Sequence, residues 1–356
     1  MTGEVDHFCH RIDLSVNKQV EIPDLFGYVK KTMTLAVTDA LYGLNDNAFR
    51  QDLTLIDSLW ARIRVQAALA EYYRQHQAEE DFPEQTADIT LLRHRVFRSL
   101  GFNDSEIGRM ELTMVFAGTN NSVPLLFWIV VNVFSRPGVV ERLRAEVQGV
   151  VDVVPVEEAH QAVEGSDTRP APPTPRRQAN VRASMLTDEA RCPYLAAIQR
   201  EALRLCNTTT GFRHAVRDTT LPDGTLLRAG STVHIPASIS HRLPEVWGPA
   251  DPNEFEPARW IKTTGTPGLI KAPAAYFPFG GGKHLCPGRN FAYAENAGLL
   301  VTLALGFTIT GLAPETQPPC PIANLMGEGV PKPRQIAAVR IKRRQGWEDV
   351  HWNLIW

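Results

Sequence analysis

Apolar residues recur at helical spacing along most of this chain. The segments with this spacing predict helices over residues 24–43, 52–75, 87–100, 104–134, 139–150 and 188–206. Gly43 fits the C-cap of the first helix, and the run from Asp104 to Glu106 supplies an N-terminal cap signal for the long fourth one. A further apolar stretch from Phe291 to Leu305 predicts a helix near the C-terminus.

Strand patterns are few and short. They cover residues 219–221, 225–227 and 231–236, and a Pro-Asp-Gly turn separates the first two. Many helices followed by a small sheet and a loop-rich end predict a mainly α fold with a minor β region.

Residues 151–184 break this pattern. Between Glu164 and Pro175 the chain is rich in proline and polar residues and has no period, so we expect a disordered surface loop over 151–184. The motifs described below lie on both sides of this segment. The sequence therefore predicts a single domain across residues 1–356 that carries the segment as a loop.

Composition narrows the possible partners. The chain has 37 basic and 39 acidic residues, which favours no nucleic-acid partner. Its five cysteines lack Cys-x-x-Cys spacing, which argues against a disulfide framework or a zinc site. The first residues are polar, and no uncharged apolar run approaches the roughly 20 residues of a membrane span. As it stands, the chain is expected to be cytoplasmic or peripheral to a membrane.

The strongest chemical signal is a cysteine in the glycine-rich segment Phe279–Gly288, directly before the predicted C-terminal helix. A sulfur at a helix N-terminus faces free backbone N–H groups, which favour a thiolate that can bind a metal. The glycines allow a tight turn against a flat ligand, and Phe279 adds an aromatic face. A planar iron macrocycle with Cys286 as its thiolate ligand needs all of these features together.

This segment resembles the haem-binding loop of the cytochrome P-450 family, F-x-x-G-x-[RH]-x-C-x-G, and matches every defined position. The resemblance implies a cytochrome P-450 fold of fungal type and haem b as cofactor, with Cys286 as the iron ligand. It assigns Phe279, Gly282, His284 and Gly288 to the haem cradle, where His284 meets a propionate.

A second motif, Glu201-x-x-Arg204, lies on a predicted helix, where residues three apart share one face. Alone, such a pair is most often a solvated surface ion pair. The segment Glu254–Trp260 resembles the family's arginine-containing segment downstream of this motif. The resemblance implies a buried, structural network of Glu201, Arg204 and Arg259 beneath the haem loop.

Between these motifs, residues 211–218 resemble the family's strand whose arginine pairs with a haem propionate. We assign this role to Arg213, with Arg217, or neither of the two, as the alternatives. For His234 and His241, structural roles are favoured over metal ligation.

Residues 117–122 match the family's oxygen-activation motif, [AG]-G-x-[DE]-T-[TS], in place. Ala117 and Gly118 are expected to give the helix room to open over the iron. Asn120 replaces the motif's acid and Asn121 replaces its threonine, and amides relay protons poorly. We expect all four residues to act at the catalytic face.

The run from Asn121 to Trp128 resembles the branch of sterol 7α-hydroxylases and prostacyclin synthase. The predicted function is a haem-thiolate monooxygenase of secondary metabolism, which oxidises a lipophilic sterol, terpenoid or related intermediate with O2. Two alternatives stay open, namely a haem-dependent isomerase or dehydratase acting on a peroxide, and an inactive truncated remnant.

The resemblance further implies an NADPH–cytochrome P-450 reductase as electron donor. It covers the C-terminal portion of the family's domain, without the membrane anchor and first helices. A full-length form is therefore expected at the endoplasmic reticulum membrane, with membrane association depending on that anchor.

Overall fold

A computed structural model of the chain describes residues 19–42, 59–84, 86–156, 177–248, 250–262, 269–313, 329–334 and 338–355. The helices in these ranges are α1 (Leu25–Tyr42), α2 (Leu59–Gln75), α3 (Asp88–Ser99), α4 (Asp104–Thr119), α5 (Ser122–Phe134), α6 (Pro137–Val147), α7 (Ala183–Leu186), α8 (Pro193–Cys206), α9 (Ala237–Ser240), α10 (Pro244–Trp247) and α11 (Arg289–Gly306). The strands are β1 (Val20–Ile22), β2 (Val151–Pro155), β3 (Arg177–Arg182), β4 (Thr210–His214), β5 (Thr219–Thr220), β6 (Leu226–Leu227), β7 (Thr232–Pro236), β8 (Phe307–Thr310), β9 (Val339–Arg343) and β10 (Val350–Ile355).

The mainly α fold with a minor β region is confirmed. The strands form two three-stranded sheets, ordered β1-β9-β8 and β10-β3-β2, and two pairs, β4 with β7 and β5 with β6. Three of these strands, β5, β6 and β7, coincide with the three predicted strand segments. Most predicted helices form close to their expected bounds, although residues 51–58 lie outside the described residues.

The long helix predicted over 104–134 is interrupted. It ends at Thr119 and a new helix begins at Ser122, with a turn over Asn120 and Asn121. Pro124 has no N–H to donate to the carbonyl of Asn120, so the helical ladder loses one bond at this point. The predicted cap also shifts by one residue, since the side chain of Asn103 accepts from the backbone of Glu106.

The disordered loop predicted over 151–184 is wrong at both ends. Strand β2 pairs antiparallel with β3, and β3 pairs parallel with the C-terminal strand β10. Val151, Ala179 and Val181 are buried in this sheet. The strand β10 comes from far along the chain, so the local pattern could not indicate it. Residues 157–176 lie outside the described residues.

Helix α5 is the centre of the fold. Every residue from Ser122 to Val133 is buried, and α1, α6, α8 and α11 pack around it. A second apolar cluster joins α2 to α4 and to the C-terminal half of α1. The stretch Asp104–Phe134 is long and apolar enough to cross a membrane by composition, but 67% of its most apolar window is buried inside the fold.

The C-terminal strand packs against helix α11 at two glycines. A Cβ atom at Gly306 would lie 2.7 Å from the Trp352 ring, and one at Gly298 would lie 2.7 Å from Leu354. Trp352 is fully buried and stacks on Trp347 with 5.1 Å between ring centroids. Strand β10 therefore fixes the helix that follows Cys286.

We expect Trp352→Ala to lower the free energy of unfolding by about 3–5 kcal/mol, because the large ring leaves a cavity against α11. Denaturant unfolding followed by circular dichroism measures this change. Val154→Ala on strand β2 is the control, since Val154 is 41% exposed. Equal stability of the two variants would show that β10 does not brace α11.

Candidate active site

The segment Phe279–Gly288 folds into a tight loop. The Cys286 N–H donates to the Phe279 carbonyl at 3.0 Å, and the Leu285 N–H donates to the Gly282 carbonyl at 3.2 Å. Gly280 and Gly282 have φ angles of +73° and +64°, in the left-handed region that favours glycine. Glycine at these two positions therefore lets the chain turn back so that Cys286 lies beside Phe279.

Cys286 stands just before the N-terminus of α11, as the sequence predicts. Gly288 is the N-cap residue, and its carbonyl accepts from the Ala292 N–H at 2.9 Å. A Cβ atom at Gly288 would lie 3.9 Å from the Cys286 sulfur, which is an ordinary van der Waals distance, so Gly288 lies directly beside the thiol. The thiol itself is half-buried, which leaves one side of the sulfur open to a ligand.

A buried charge network lies on helix α8. Arg204 donates from Nε and Nη2 to the two carboxylate oxygens of Glu201, both at 2.8 Å, and both side chains are fully buried. Arg259 donates from Nε to Glu201 Oε1 at 3.3 Å. The structure thus brings together the three residues that the resemblance placed in one network, and it does so away from solvent.

Sequence reasoning missed two further donors to this carboxylate. The indole Nε1 of Trp260 donates to Glu201 Oε2 at 2.8 Å, and the backbone N–H of Glu256 donates to Oε1 at 3.0 Å. Both follow from the 3-10 turn Pro257–Trp260, which also carries Arg259. Two arginine side chains, one indole and one backbone N–H therefore replace the water that the buried carboxylate of Glu201 has lost.

His241 joins this network to the cysteine loop. Its Nε2 accepts from the Phe277 N–H at 3.1 Å, so Nδ1 carries the proton and donates to the Arg204 carbonyl at 3.2 Å. Burial, with the nearby arginines Arg204 and Arg242, lowers the pKa of His241 to about 4. The ring is therefore neutral and structural, and it positions the residue two before Phe279.

Arg213 reaches the cysteine loop from strand β4. Its Nη2 donates to the Gly281 carbonyl at 3.2 Å, and the side chain remains exposed. Arg217 lies beyond β4 and is also exposed, and among the described residues it makes no side-chain contact with the loop. His284 is exposed on the loop itself. Two groups that can carry positive charge thus lie at this edge of the loop.

The helix turn at Asn120–Asn121 carries the residues that match the oxygen-activation motif. Ala117 is exposed, whereas a Cβ atom at Gly118 would lie 3.1 Å from a Val37 methyl group. The small size of Gly118 therefore serves packing against α1, and Pro124 rather than Gly118 accounts for the opening of the helix. The side chain of Asn121 accepts a hydrogen bond from the Val330 N–H at 3.1 Å.

Asn120 lies in a cleft that extends from the helix turn to helix α1. The other residues that line this cleft come from α1, from both sides of the turn and from the segment after Gly329. They are Phe26, Lys30, Thr34, Phe116, Thr119, Val123, Pro124 and Lys332.

Apolar side chains are exposed on the loop, on the adjoining strand pair and on α4. They are Leu285, Phe212, Ile235 and Phe116, which are 36–50% exposed. Among the described residues no cluster of three or more His, Cys, Asp or Glu could hold a bare metal ion. A single cysteine thiolate such as Cys286 is the protein ligand that a haem iron would need.

Comparison with known proteins agrees with this geometry. The family described as Cytochrome P450 matches residues 176–336. A cytochrome P450 monooxygenase from Gibberella zeae is 31% identical over 98% of this chain and 68% of its own length. This chain belongs to the cytochrome P450 family.

Cytochrome P450 monooxygenase nodJ from Hypoxylon pulicicidum is 26% identical over 96% of this P450 chain and 67% of its own length. The solved structure of retinoic acid bound cyanobacterial CYP120A1 shares the fold, with a TM-score of 0.66 and 20% identity over 96% of this chain and 73% of that one. The chain therefore spans about two thirds of the length of the two fungal relatives. Members of the family are haem enzymes with a cysteine thiolate axial ligand.

One buried acid escaped the sequence reasoning. Glu295 on α11 is 1% exposed, and within the described part of the chain neither carboxyl oxygen forms a hydrogen bond of good geometry. Burial raises its pKa to about 8, and the facing Ser122 hydroxyl lowers it slightly. Glu295 is therefore protonated at neutral pH, between the thiolate-loop helix α11 and the start of α5. Its place in an otherwise apolar helical face gave no signal in the sequence.

We expect Glu201→Gln to lower the free energy of unfolding by about 3–5 kcal/mol, because it leaves the Arg204 charge buried without its partner. Glu189→Gln is the matched control, since Glu189 pairs with Arg200 at the surface and such pairs contribute about 1 kcal/mol or less. Chemical denaturation of both variants measures the difference. If Glu201→Gln lowers the free energy of unfolding no more than Glu189→Gln does, a structural role for the network is contradicted.

A second prediction concerns Glu295 and pH. Between pH 4.5 and about 8 the folded protein keeps a proton on Glu295 that the unfolded chain releases. The free energy of unfolding should therefore fall as pH rises, by about 1.4 kcal/mol per unit from this group. Glu295→Gln should remove that contribution, whereas the exposed Glu141→Gln should retain it. Denaturant unfolding from pH 6.5 to 8 tests this, since His241 contributes equally to wild type and to Glu295→Gln and cancels in the difference between their slopes. Identical slopes in wild type and Glu295→Gln would disprove the assignment.

Proposed function

We propose that this P450 is a haem-thiolate monooxygenase that hydroxylates or oxidises a lipophilic small molecule with O2 and electrons from an NADPH-dependent reductase. Haem bound through Cys286 would supply the activation of dioxygen. The single observation that carries the proposal is the half-buried Cys286, held on a tight loop directly before α11.

The remaining loop residues would hold the cofactor. Gly282 supplies the left-handed backbone that the turn requires, Gly288 caps α11 beside Cys286, and Phe279 packs with the main core while closing the turn. Arg213 and His284 would pair with the negatively charged groups of the haem. Neither residue is catalytic in this proposal, since each one orients the cofactor.

The network of Glu201, Arg204 and Arg259 would fix the loop from behind. Arg204 also donates to the His241 carbonyl at 2.8 Å, and His241 receives the N–H of Phe277. A rigid path of hydrogen bonds therefore leads from α8 to the residue that precedes Pro278 and Phe279. This rigidity would keep the sulfur at one position during turnover.

The substrate would lie on the face of α4 that the fold leaves open. Met110 and Phe116 are 42% and 46% exposed on this helix, and Ala117 is exposed beside them. This apolar face supports a sterol, a terpenoid or another intermediate of secondary metabolism. The proposal places any full-length form at the endoplasmic reticulum membrane, beside its reductase.

A second candidate function rests on Asn120 and Asn121. The turn carries two amides where the commoner motif has an acid and a hydroxyl, and amides hold hydrogen bonds but do not pass protons readily. A reaction that rearranges a peroxide needs no supply of protons and electrons. This observation favours an isomerase or dehydratase, as in the branch that the run from Asn121 to Trp128 resembles.

The first test is the absorption spectrum of the purified, dithionite-reduced protein with carbon monoxide. A strongly red-shifted Soret band is expected, because a thiolate donates electron density to the iron. Cys286→Ser should abolish that band, whereas Cys192→Ser should retain it. Product formation only with NADPH and reductase supports the monooxygenase, and turnover of a peroxide without them supports the isomerase. A wild-type protein without the band would be an inactive remnant.

A further inference from the structure

Asn121 contacts a segment that is distant in sequence. Its Oδ1 accepts from the Val330 N–H at 3.1 Å. A Cβ atom at Gly329 would lie only 2.2 Å from the same oxygen, and Gly329 has a φ of +82°. Only glycine at 329 leaves room for this contact, so Asn121 and Gly329 fit each other.

The contact continues to helix α8. The Gly329 carbonyl accepts from both the N–H and the hydroxyl of Thr208, at 2.8 and 2.9 Å. Thr208 is buried two residues after α8 ends and two residues before β4 begins. The carbonyl of one glycine therefore holds the connection between the charge network and the strand of Arg213.

The adjacent residue completes a path to the cysteine loop. The side-chain nitrogen Nδ2 of Asn207 donates to the carbonyl of Pro278 at 2.8 Å, and Pro278 directly precedes Phe279. We call this series of contacts, through Asn121, Gly329–Val330, Thr208, Asn207 and Pro278, the Asn121 bridge. It joins the turn between α4 and α5 to the loop that carries Cys286.

A second bond holds the same segment without Asn121. The indole Nε1 of Trp128 donates to the Pro331 carbonyl at 2.8 Å, and Val330 is buried in the main core. Loss of the Asn121 contact would therefore loosen residues 329–330 while Pro331 stays attached. A threonine at 121, as in the commoner motif, would lack the carbonyl oxygen that Asn121 extends to Val330.

We propose that Asn121 is a positioning residue, which fixes the start of α5 relative to the Cys286 loop through the Asn121 bridge. Its side-chain oxygen accepts a hydrogen bond from the Val330 backbone, and this bond helps to set the shape of the cleft. The neighbouring Lys332 lines the same cleft as Asn120 and Phe116. The functional part of the proposal, that this shape selects the substrate, rests on the proposed function.

The test is hydrogen–deuterium exchange of the Val330 amide in the purified full chain, read from peptides that span residues 329–334. Asn121→Leu and Asn121→Thr remove the acceptor and should speed exchange roughly tenfold, the value of one lost hydrogen bond. Asn121→Asp keeps an oxygen at the same place and should stay near the wild-type rate. Asn120→Leu is the matched control and should leave the Val330 amide unchanged. An unchanged rate in Asn121→Leu would overturn the proposal.

A binding titration separates positioning from proton relay. The haem-loaded variants are titrated with 4-phenylimidazole and followed by the shift of the Soret band. Asn121→Thr should weaken binding several-fold by the same loosening, whereas Glu141→Gln, at a surface ion pair on α6, should not. If Asn121→Thr instead alters turnover while both Val330 exchange and probe affinity stay wild-type, the residue is a relay and the proposal fails.

The exchange experiment needs no haem, so its result tests the Asn121 contact even if the proposed function is wrong. If Asn121→Leu does not fold, Thr208→Val provides the second variant, because it removes one of the two bonds to the Gly329 carbonyl and keeps the other. It should speed exchange in residues 329–330 but leave the Trp128 contact in place. Wild-type exchange there would also count against the Asn121 bridge.

Discussion

The carboxylate of Glu201 is the interaction on which the rest of the site depends. A buried charge of this kind is stable only when its partners replace the lost hydration. Arg204, Arg259, the Trp260 indole and the Glu256 N–H all donate to it. These donors come from α8 and from the turn around residue 257, so a single side chain holds two distant parts of the chain together. Through the neutral His241, that rigidity reaches the backbone before the cysteine loop.

The candidate site has two sides that are braced differently. On the cysteine side, α11 follows the loop directly, and Trp352 and Leu354 of the C-terminal strand pack against its two glycines. On the other side, the turn before α5 is held by the contact of Asn121 with Val330. The neutral Glu295 lies between the two helices, where an ionised carboxyl would be costly. The cleft is thus set by buried polar contacts as much as by apolar packing.

The sequence predicted the local parts of this arrangement well, because each depends on neighbouring residues. The helix after Cys286 follows from apolar spacing. The interruption at Asn120 was not predicted, although Pro124 explains it once the missing N–H is considered. The strands β2 and β3 were not predicted, since among the described strands β2 pairs only with β3, and β3 in turn pairs with β10 from far along the chain. The proline-rich segment between the two strands led to the prediction of a loop over the whole region.

By itself, the sequence determined the family and the chemistry of the cysteine loop, because a ten-residue pattern of glycines, an aromatic ring and a thiol leaves few alternatives. It also indicated which residues could pair on one face of α8. Only the tertiary structure decided what Asn121 contacts, that Trp260 completes the Glu201 network, and that Glu295 is fully buried in an apolar surrounding. These features depend on which distant segments pack together, and that packing is set by the whole core rather than by any local spacing.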